Sequence, residues 1–260
     1  FALIYGTWAS TLYYAVLCVD FFATSAWVSL GLAGLLTWLY AGLFITAHDA
    51  MHGVVCPSYP KLNNFLGWLC VKSYALFDYK ILTHAHWAHH RHAGHAGKDP
   101  DFHDGVHKHP VAWYFHFMRE YSTISQLVGM GVAFNVFHAA LGFPLPNLLC
   151  FWTGPALLSS VQLFYFGTYL PHHDGNEHPD SHRSSTDYSK PPIVHFLECF
   201  NFGLHHEHHL YPWCPWWRLQ NMRGVLFQKR AKKAVDISAA PGAGAGGAAK
   251  DGGNRAKKTL

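Results

Sequence analysis

Polar and apolar residues are distributed unevenly along this chain of 260 residues. None of its 19 Lys and Arg residues falls in 1–60 or in 120–182. Both regions contain a long apolar run: 1–47 carries the single charge Asp20, and 122–170 carries none. Charge-free runs of more than about 18 residues are typical of membrane-spanning helices. The pattern therefore predicts an integral membrane protein.

Each apolar run is long enough to cross a membrane twice. At about 1.5 Å per helical residue, the first run would extend roughly 70 Å, against ~30 Å for the hydrocarbon core. Pro144 and Pro146 divide the second run, because proline ends helices. The sequence thus predicts an all-α membrane protein with two transmembrane hairpins, whose four helices span about 1–19, 22–47, 122–142 and 147–170. Buried helices of a soluble all-α protein are the weaker alternative.

The segments outside these runs complete the predicted organisation. Residues 61–83 are apolar but interrupted by charges, which favours a helix in the membrane interface or a re-entrant segment. Two hairpins return the chain to one side, so the His-rich segments and the basic residues would form a cap facing the cytosol or a plastid stroma. Residues 1–230 are predicted to form one domain, and the Ala, Gly and Lys-rich 231–260 a disordered tail.

Histidines are the candidate chemistry of the chain, which contains 22 of them. In one motif two histidines stand at i and i+4. In two others, three histidines stand at i, i+3 and i+4, so that their imidazoles share one helix face. With one more histidine at the end of the fourth predicted span, the predicted metal ligands and catalytic residues are His48, His52, His86, His89, His90, His172, His205, His208 and His209.

Nine imidazole nitrogens are too many for one metal ion and suit two. Neutral imidazole binds iron, zinc, copper and nickel. Zinc would leave most of these ligands idle, whereas two irons with open positions would use them all and could activate dioxygen. Nearby carboxylates are expected to accept the other ring N–H of metal-bound imidazoles. The candidates are Asp49, Asp99, Asp101 and Glu207. A solvated Asp-Pro-Asp turn is an equally weighted interpretation for Asp99 and Asp101.

Several histidines are left with less defined roles. Either His172 or His173 could face the metals, and His138, inside the third span, is predicted to make a helix–helix hydrogen bond. Surface or interfacial positions are predicted for His103, His107, His109 and His116. The roles of three more stay open, namely His84, His92 and His206.

Other classes of protein fit less well. The six cysteines include no C-x-x-C pair, which argues against a zinc finger and a disulfide scaffold. The net charge of +4 comes with no nucleic-acid-reading motif, so a nucleic-acid partner is not expected. A His-rich metal transporter needs ionisable ligands in mid-bilayer, whereas the predicted ligands lie at span ends or outside. Because the chain begins at Phe1, a targeting segment is expected to be missing.

Four sequence motifs together carry a resemblance to a known family. They are His48-Asp-Ala-Met-His52-Gly, His86-x-x-His89-His90-Arg-His-Ala-Gly before Asp-Pro-Asp-Phe, Gly167-Thr-Tyr-Leu-Pro-His172, and His205-His-Glu-His-His-Leu-Tyr-Pro. From about residue 40 to Arg223 the chain resembles the β-carotene ketolases of the membrane fatty acid desaturase and hydroxylase superfamily. The tail is similar to green-algal forms. His173 is a departure, since many bacterial members carry Arg there.

The resemblance implies a non-haem di-iron oxygenase that uses dioxygen. Two successive hydroxylations and a dehydration would convert carbon 4 of β-ionone rings to a ketone, taking β-carotene through echinenone to canthaxanthin and zeaxanthin to astaxanthin. The implied location is a plastid membrane of a green alga. No NAD or haem-attachment motif is present, so the electrons are expected from a ferredoxin-type or similar partner. A carotenoid ring hydroxylase or a lipid desaturase stays open, and the oligomeric state is not indicated.

Overall fold

A computed structural model describes residues 1–173 and 181–226. Within these ranges the chain forms helices and loops and no strand, so the predicted all-α fold is confirmed for them. The helices are α1 Ala2–Leu17, α2 Ala26–Met51, α3 Pro60–Ala75, α4 Tyr79–His92, α5 Pro110–Tyr121, α6 Ile124–Ala140, α7 Leu145–His172, α8 Pro192–Cys199 and α9 His205–Leu210.

The chain divides into two compact units, Phe1–Met222 and Arg223–Leu260. Of the second unit, 223–226 are described and are helical. The predicted tail at 231–260 lies outside the described residues. The predicted domain boundary at residue 230 lies outside them as well and stays a prediction.

Two helices are long and apolar enough to cross a membrane, α2 with 26 residues and α7 with 28. They coincide with the second and fourth predicted spans. At the first predicted span, α1 has 16 residues, and α6 at the third is also a shorter apolar helix. Length and composition therefore support two of the four predicted spans.

Helix α2 is the central helix of the first unit, and α1, α3 and α7 pack against it. Its second half is buried on nearly all sides, including Leu36, Leu43 and Ile45. Its first half carries exposed apolar side chains, with Trp27 83% exposed. A helix that is apolar all round must bury its surface in protein or in lipid. His48, near the buried end of α2, therefore lies in the packed interior.

Two glycines allow the segment before α9 to dock closely. A Cβ at Gly167 in α7 would lie 1.8 Å from the Phe202 ring, and one at Gly42 in α2 would lie 2.7 Å from the Phe200 ring. These two phenylalanines therefore pack directly onto the backbones of α7 and α2. This contact places the start of α9 beside the ends of both long helices.

Helix α7 contains two wide π-helical turns, Leu148–Thr153 and Tyr165–Tyr169. The first precedes Pro155 and the second precedes Pro171. Proline cannot donate the backbone hydrogen bond to the residue four positions earlier, and its ring clashes with that carbonyl. A π turn ahead of each proline lets α7 continue past it. Each wider turn also changes the direction in which the following side chains point, up to His172.

Residues 61–83, predicted as a helix in the membrane interface or as a re-entrant segment, contribute to two helices. Leu76 adopts a left-handed conformation, with φ of 57°, and ends α3. The Asp78 side chain then accepts hydrogen bonds from the Lys80 and Ile81 backbone N–H groups and begins α4. The prediction of a single helix was wrong because these two capping features act through local geometry that the apolar pattern does not reveal.

We expect Asn147→Leu to destabilise the first unit. The Asn147 amide is fully buried and donates to the backbone oxygens of Ala15, Val16 and Val19 at the end of α1, at 2.8 to 3.1 Å. Leucine would leave these carbonyls unpaired, at a cost of about 1–3 kcal/mol. Thermal unfolding in detergent should show a lower midpoint.

Asn135→Leu is the matched control for this substitution. Asn135 is exposed and donates to Gly131 of its own helix. Equal midpoints for the two variants would contradict the role assigned to Asn147.

Candidate metal centre

Four helix ends bring the nine predicted histidine ligands into one region. The end of α2 contributes His48 and the adjoining His52, α7 ends at His172, and α4 and α9 supply the two motifs with three histidines each. Seven of the nine are buried and two, His52 and His90, are partly exposed. Residues far apart in sequence thus meet in one buried cluster.

The first group consists of His48, His52, His86 and His208, whose candidate ligand atoms all lie within 4.8 Å of one another. The Nε2 atoms of His52 and His86 are 2.6 Å apart. The Nε2 atom of His90 lies 2.9 Å from that of His208 and 3.1 Å from that of His86. His90 therefore joins this group as a fifth imidazole.

The second group consists of His89, His172, His205 and His209, whose candidate ligand atoms also lie within 4.8 Å of one another. The Nε2 atom of His209 is 3.0 Å from the Nε2 atoms of both His89 and His205. The two groups adjoin, since the rings of His90 and His209 have centroids 4.4 Å apart. The arrangement offers two neighbouring sites with imidazole nitrogens.

The spacing of these nitrogens fits shared metal ions. Two nitrogens bound at ~2.1 Å to one ion, at right angles, would be ~3.0 Å apart. The observed contacts between Nε2 atoms are 2.6 to 3.1 Å. Within the described residues, the buried Nε2 of His48 has no hydrogen-bond partner. A bound cation would satisfy this atom.

Except at His89, the electrostatics of the cluster favour neutral imidazoles. Burial is the largest cause that lowers the pKa of several of these rings well below the ordinary value, and repulsion from neighbouring imidazoles adds to it. This holds for His86, His205, His208 and His209. A metal binds the neutral ring through its lone pair, so the site is prepared for metal rather than for protons.

Asp99 orients His89 directly. Its Oδ1 lies 2.9 Å from His89 Nδ1, and its oxygens also accept hydrogen bonds from the Gly94 and Asp101 backbone N–H groups. Burial alone would lower the pKa of His89, but Asp99 and then Asp101 outweigh it and raise this pKa to about 9. Both carboxylates are buried, so the solvated turn is wrong. The Nδ1–H points to Asp99, which leaves Nε2 for the second group.

The other predicted carboxylates differ in their contacts. Asp49 Oδ1 lies 3.6 Å from His48 Nδ1, and its Oδ2 accepts from the Trp216 backbone N–H. Asp101 Oδ2 lies 3.8 Å from His89 Nδ1. Glu207 is buried and accepts from the Thr186 hydroxyl at 2.6 Å. Glu207 thus supports the loop that covers α9, and its role toward an imidazole stays a prediction.

The structure also places the less defined histidines. His172 lies in the second group, whereas His173 packs against Tyr169. His206 is buried 3.4 Å from the Ser184 hydroxyl. His138 is exposed, with Nδ1 3.0 Å from the Phe143 carbonyl in the following turn.

His103 is buried against Phe102 and Trp113, so its predicted surface position was wrong. Burial of His103 follows from the docking of α5, which the sequence does not reveal.

A small cavity of about 30 Å³ opens beside the first group. His48, His86 and His205 form its polar end, and apolar side chains form most of the rest. A second cavity of about 30 Å³ extends it between α2, α5 and α7. The two cavities share five lining residues, which are Phe44, Leu82, Phe117, Tyr121 and Leu163. The two cavities are therefore neighbours, and the first of them reaches the histidines.

Tyr121 and Arg183 take part in the site although the sequence did not indicate them. The Tyr121 hydroxyl donates to Asp101, and the Arg183 carbonyl lies 2.7 Å from His172 Nδ1. Neither residue belongs to a histidine motif. Their roles depend on loop and helix packing, and no local sequence signal could have found them.

Comparison with known proteins identifies the family of the chain. The model of the family named fatty acid desaturase matches 25–136 and 106–238 of the chain. The chain belongs to the fatty acid desaturase family. Relatives include the zeaxanthin 4-ketolase of Chlamydomonas reinhardtii, 42% identical over 85% of this chain and 50% of the relative. The resemblance to carotenoid ketolases is therefore confirmed.

Two further relatives carry similar names. The beta-carotene 4-ketolase of Protosiphon botryoides is 44% identical over 71% of this chain and 48% of the relative. The beta-carotene ketolase of Paracoccus sp. (strain N81106 / MBIC 01143) is 44% identical over 72% of this chain and 76% of the relative. The chain thus spans about half the length of the two algal relatives and about three quarters of the bacterial one.

We expect Asp99→Asn to weaken metal binding about 10–100-fold, because a metal-bound imidazole depends on such a carboxylate for its orientation. Iron bound per polypeptide, measured in purified protein at limiting iron, should fall while accumulation in the membrane stays unchanged. Asp104→Asn is the matched control, since exposed Asp104 contacts exposed His107 at 2.7 Å in the same segment. Equal iron content in the two variants would contradict the assignment.

Proposed function

We propose that this protein is a di-iron, dioxygen-dependent carotenoid 4-ketolase. It converts carbon 4 of β-ionone rings to a ketone, from β-carotene through echinenone to canthaxanthin and from zeaxanthin to astaxanthin. The main support is the pair of adjoining four-histidine groups beside two neighbouring, largely apolar cavities, which we propose join into a path for the ring. The names of the relatives support the carotenoid substrate and the position of the ketone.

The histidine groups divide the metal ligands between two irons. In this proposal one iron is held by His48, His52, His86 and His208, with His90 beside them, and the other by His89, His172, His205 and His209. When bound, the two irons supply the activation of dioxygen that hydroxylation of the allylic C–H bond requires. A ferredoxin-type or similar redox protein supplies the electrons.

The chain's own side chains position the substrate. Phe44, Leu82 and Leu163 line both cavities and exclude water from the path to the histidines. A β-ionone ring that enters this path directs its allylic methylene toward His48, His86 and His205. Because each cavity is small, the surrounding side chains must move apart to admit the ring. Apolar contacts alone then hold the unsubstituted ring of β-carotene, since it carries no polar group.

Two oxidations at one carbon account for the ketone. Each round consumes one dioxygen, two electrons and two protons, and releases one water. The first round replaces a C–H bond with C–OH, and the second gives a geminal diol at the same carbon. Loss of water from the diol leaves the ketone, with no further change in oxidation state.

The proposed setting is the plastid membrane of a green alga, with the metal centre on the stromal or cytosolic side. All four apolar helices carry strongly exposed apolar side chains, which suit contact with lipid. Examples are Leu3, Trp27, Leu30, Ile124, Val132 and Leu158. We propose that α1 and α6 complete the crossings made by α2 and α7, because a hairpin brings both ends of each pair to the histidine side.

Expression of the chain in cells that accumulate β-carotene tests the proposed reaction. Pigments extracted from these cells and identified by mass should include echinenone and canthaxanthin. Ring alcohols hydroxylated at carbon 3 would instead indicate a carotenoid hydroxylase. Unchanged β-carotene with altered fatty acids would indicate a lipid desaturase, and either result would overturn the proposal.

We expect His89→Ala and His208→Ala to abolish ketone formation and to lower bound iron, because each removes a ligand from one group. Both variants should still insert into the membrane. His138→Ala is the control, since His138 is exposed and lies outside both groups. It should keep most activity and iron. Full activity in His89→Ala or His208→Ala would count against the metal assignment.

A further inference from the structure

The cavity beside the first histidine group is lined by two polar side chains, Asp101 and Tyr121, that are not needed to bind an unsubstituted ring. Its lining beyond the histidines is apolar except for Thr168, Asp101 and Tyr121. An apolar hydrocarbon ring gains nothing from a phenol oxygen, which keeps lone pairs free to accept a hydrogen bond while its proton is donated to Asp101. The two side chains therefore point to a substrate or intermediate that carries a polar group near the metal centre.

The pair is held firmly in place. The Tyr121 hydroxyl, at the end of α5, donates to Asp101 Oδ1. The Trp113 indole N–H donates to the Asp101 backbone carbonyl at 2.7 Å and fixes the same loop. Burial first, and then the charge of Asp101, raise the pKa of Tyr121 well above its ordinary value. The phenol thus keeps its proton, which is directed to Asp101, and its oxygen lone pairs stay able to accept a hydrogen bond.

We propose that Tyr121, supported by Asp101, binds the hydroxyl group of the ring alcohol produced by the first oxidation and retains it for the second. The inference rests on the proposed function. The alcohol O–H donates to the phenol oxygen, so the intermediate has a partner inside an otherwise apolar path. Without that partner the buried hydroxyl would be unpaired, which favours release of the alcohol into the bilayer. Tyr121 would therefore determine how much of the product is ketone.

Tyr121→Phe tests this role, with Tyr114→Phe as the matched control. Tyr114 lies on the same helix, and its hydroxyl pairs with Ser160 Oγ at 2.7 Å, but it lines neither cavity. In β-carotene-accumulating cells, Tyr121→Phe should raise the ratio of 4-hydroxy product to ketone about fivefold, as expected for one lost hydrogen bond. Its iron content should match that of wild type, and Tyr114→Phe should leave the ratio unchanged.

Several results would overturn the inference. An unchanged ratio in Tyr121→Phe, an equal rise in Tyr114→Phe, or loss of iron together with all product would each assign Tyr121 a structural role instead. If Tyr121→Phe forms the ketone with an unchanged ratio of 4-hydroxy product to ketone, the inference fails but the proposed function stands. Absence of any oxygenated carotenoid from wild-type cells would overturn the proposed function as well.

A second measurement needs no variant. The 4-hydroxy carotenoid and its 4-methyl ether are compared as competitors of β-carotene conversion by the wild-type protein in membranes. The ether cannot donate a hydrogen bond, so the alcohol should compete about fivefold better. Equal competition by the two compounds would overturn the inference even if Tyr121→Phe failed to fold.

Discussion

The structure depends on burying many uncharged imidazole rings with their nitrogens in contact with one another. As cations these rings would repel one another at contacts such as the 2.6 Å between His52 and His86 Nε2 atoms, and burial already lowers the pKa of His86. As neutral rings they direct lone pairs at common points. A bound cation would satisfy these lone pairs together. Packing of the surrounding helices and metal binding are therefore coupled, and the apolar core must hold the ligand helices in place.

The rest of the fold supplies that support. Phe200 and Phe202 dock on glycines of α2 and α7, which fixes the short helix α9 against two long ones. Asp99 is itself fixed by two backbone N–H groups, so His89 is held by a group that cannot move freely. Rigid partners matter here because small errors in ligand direction weaken a metal site strongly. The short α9 has little stability of its own and depends on these contacts.

The sequence revealed the candidate ligands because helical geometry fixes which side chains share a face. The i, i+3 and i+4 spacing of His86, His89 and His90 needs no tertiary information. The division of that motif between two groups does need it: His89 turns to one group, and His86 and His90 to the other. The burial of His103 and the contact of Tyr121 with Asp101 also arise from the docking of α5. No pattern in the sequence encodes that docking.

Most of the residues that line the cavity are not candidate metal ligands. This separation explains how one metal-binding pattern can serve different oxidations. In the proposed reaction the histidine groups direct the attack on a nearby C–H bond, but their geometry contains nothing that distinguishes an alcohol product from a ketone. Whether the alcohol or the ketone is released depends on how long the alcohol stays in the cavity. In a largely apolar cavity, the residence of the alcohol is set by the few polar atoms near the histidines, and Asp101 and Tyr121 are placed there. Product identity would then change through side chains outside the histidine motifs, with every metal ligand preserved.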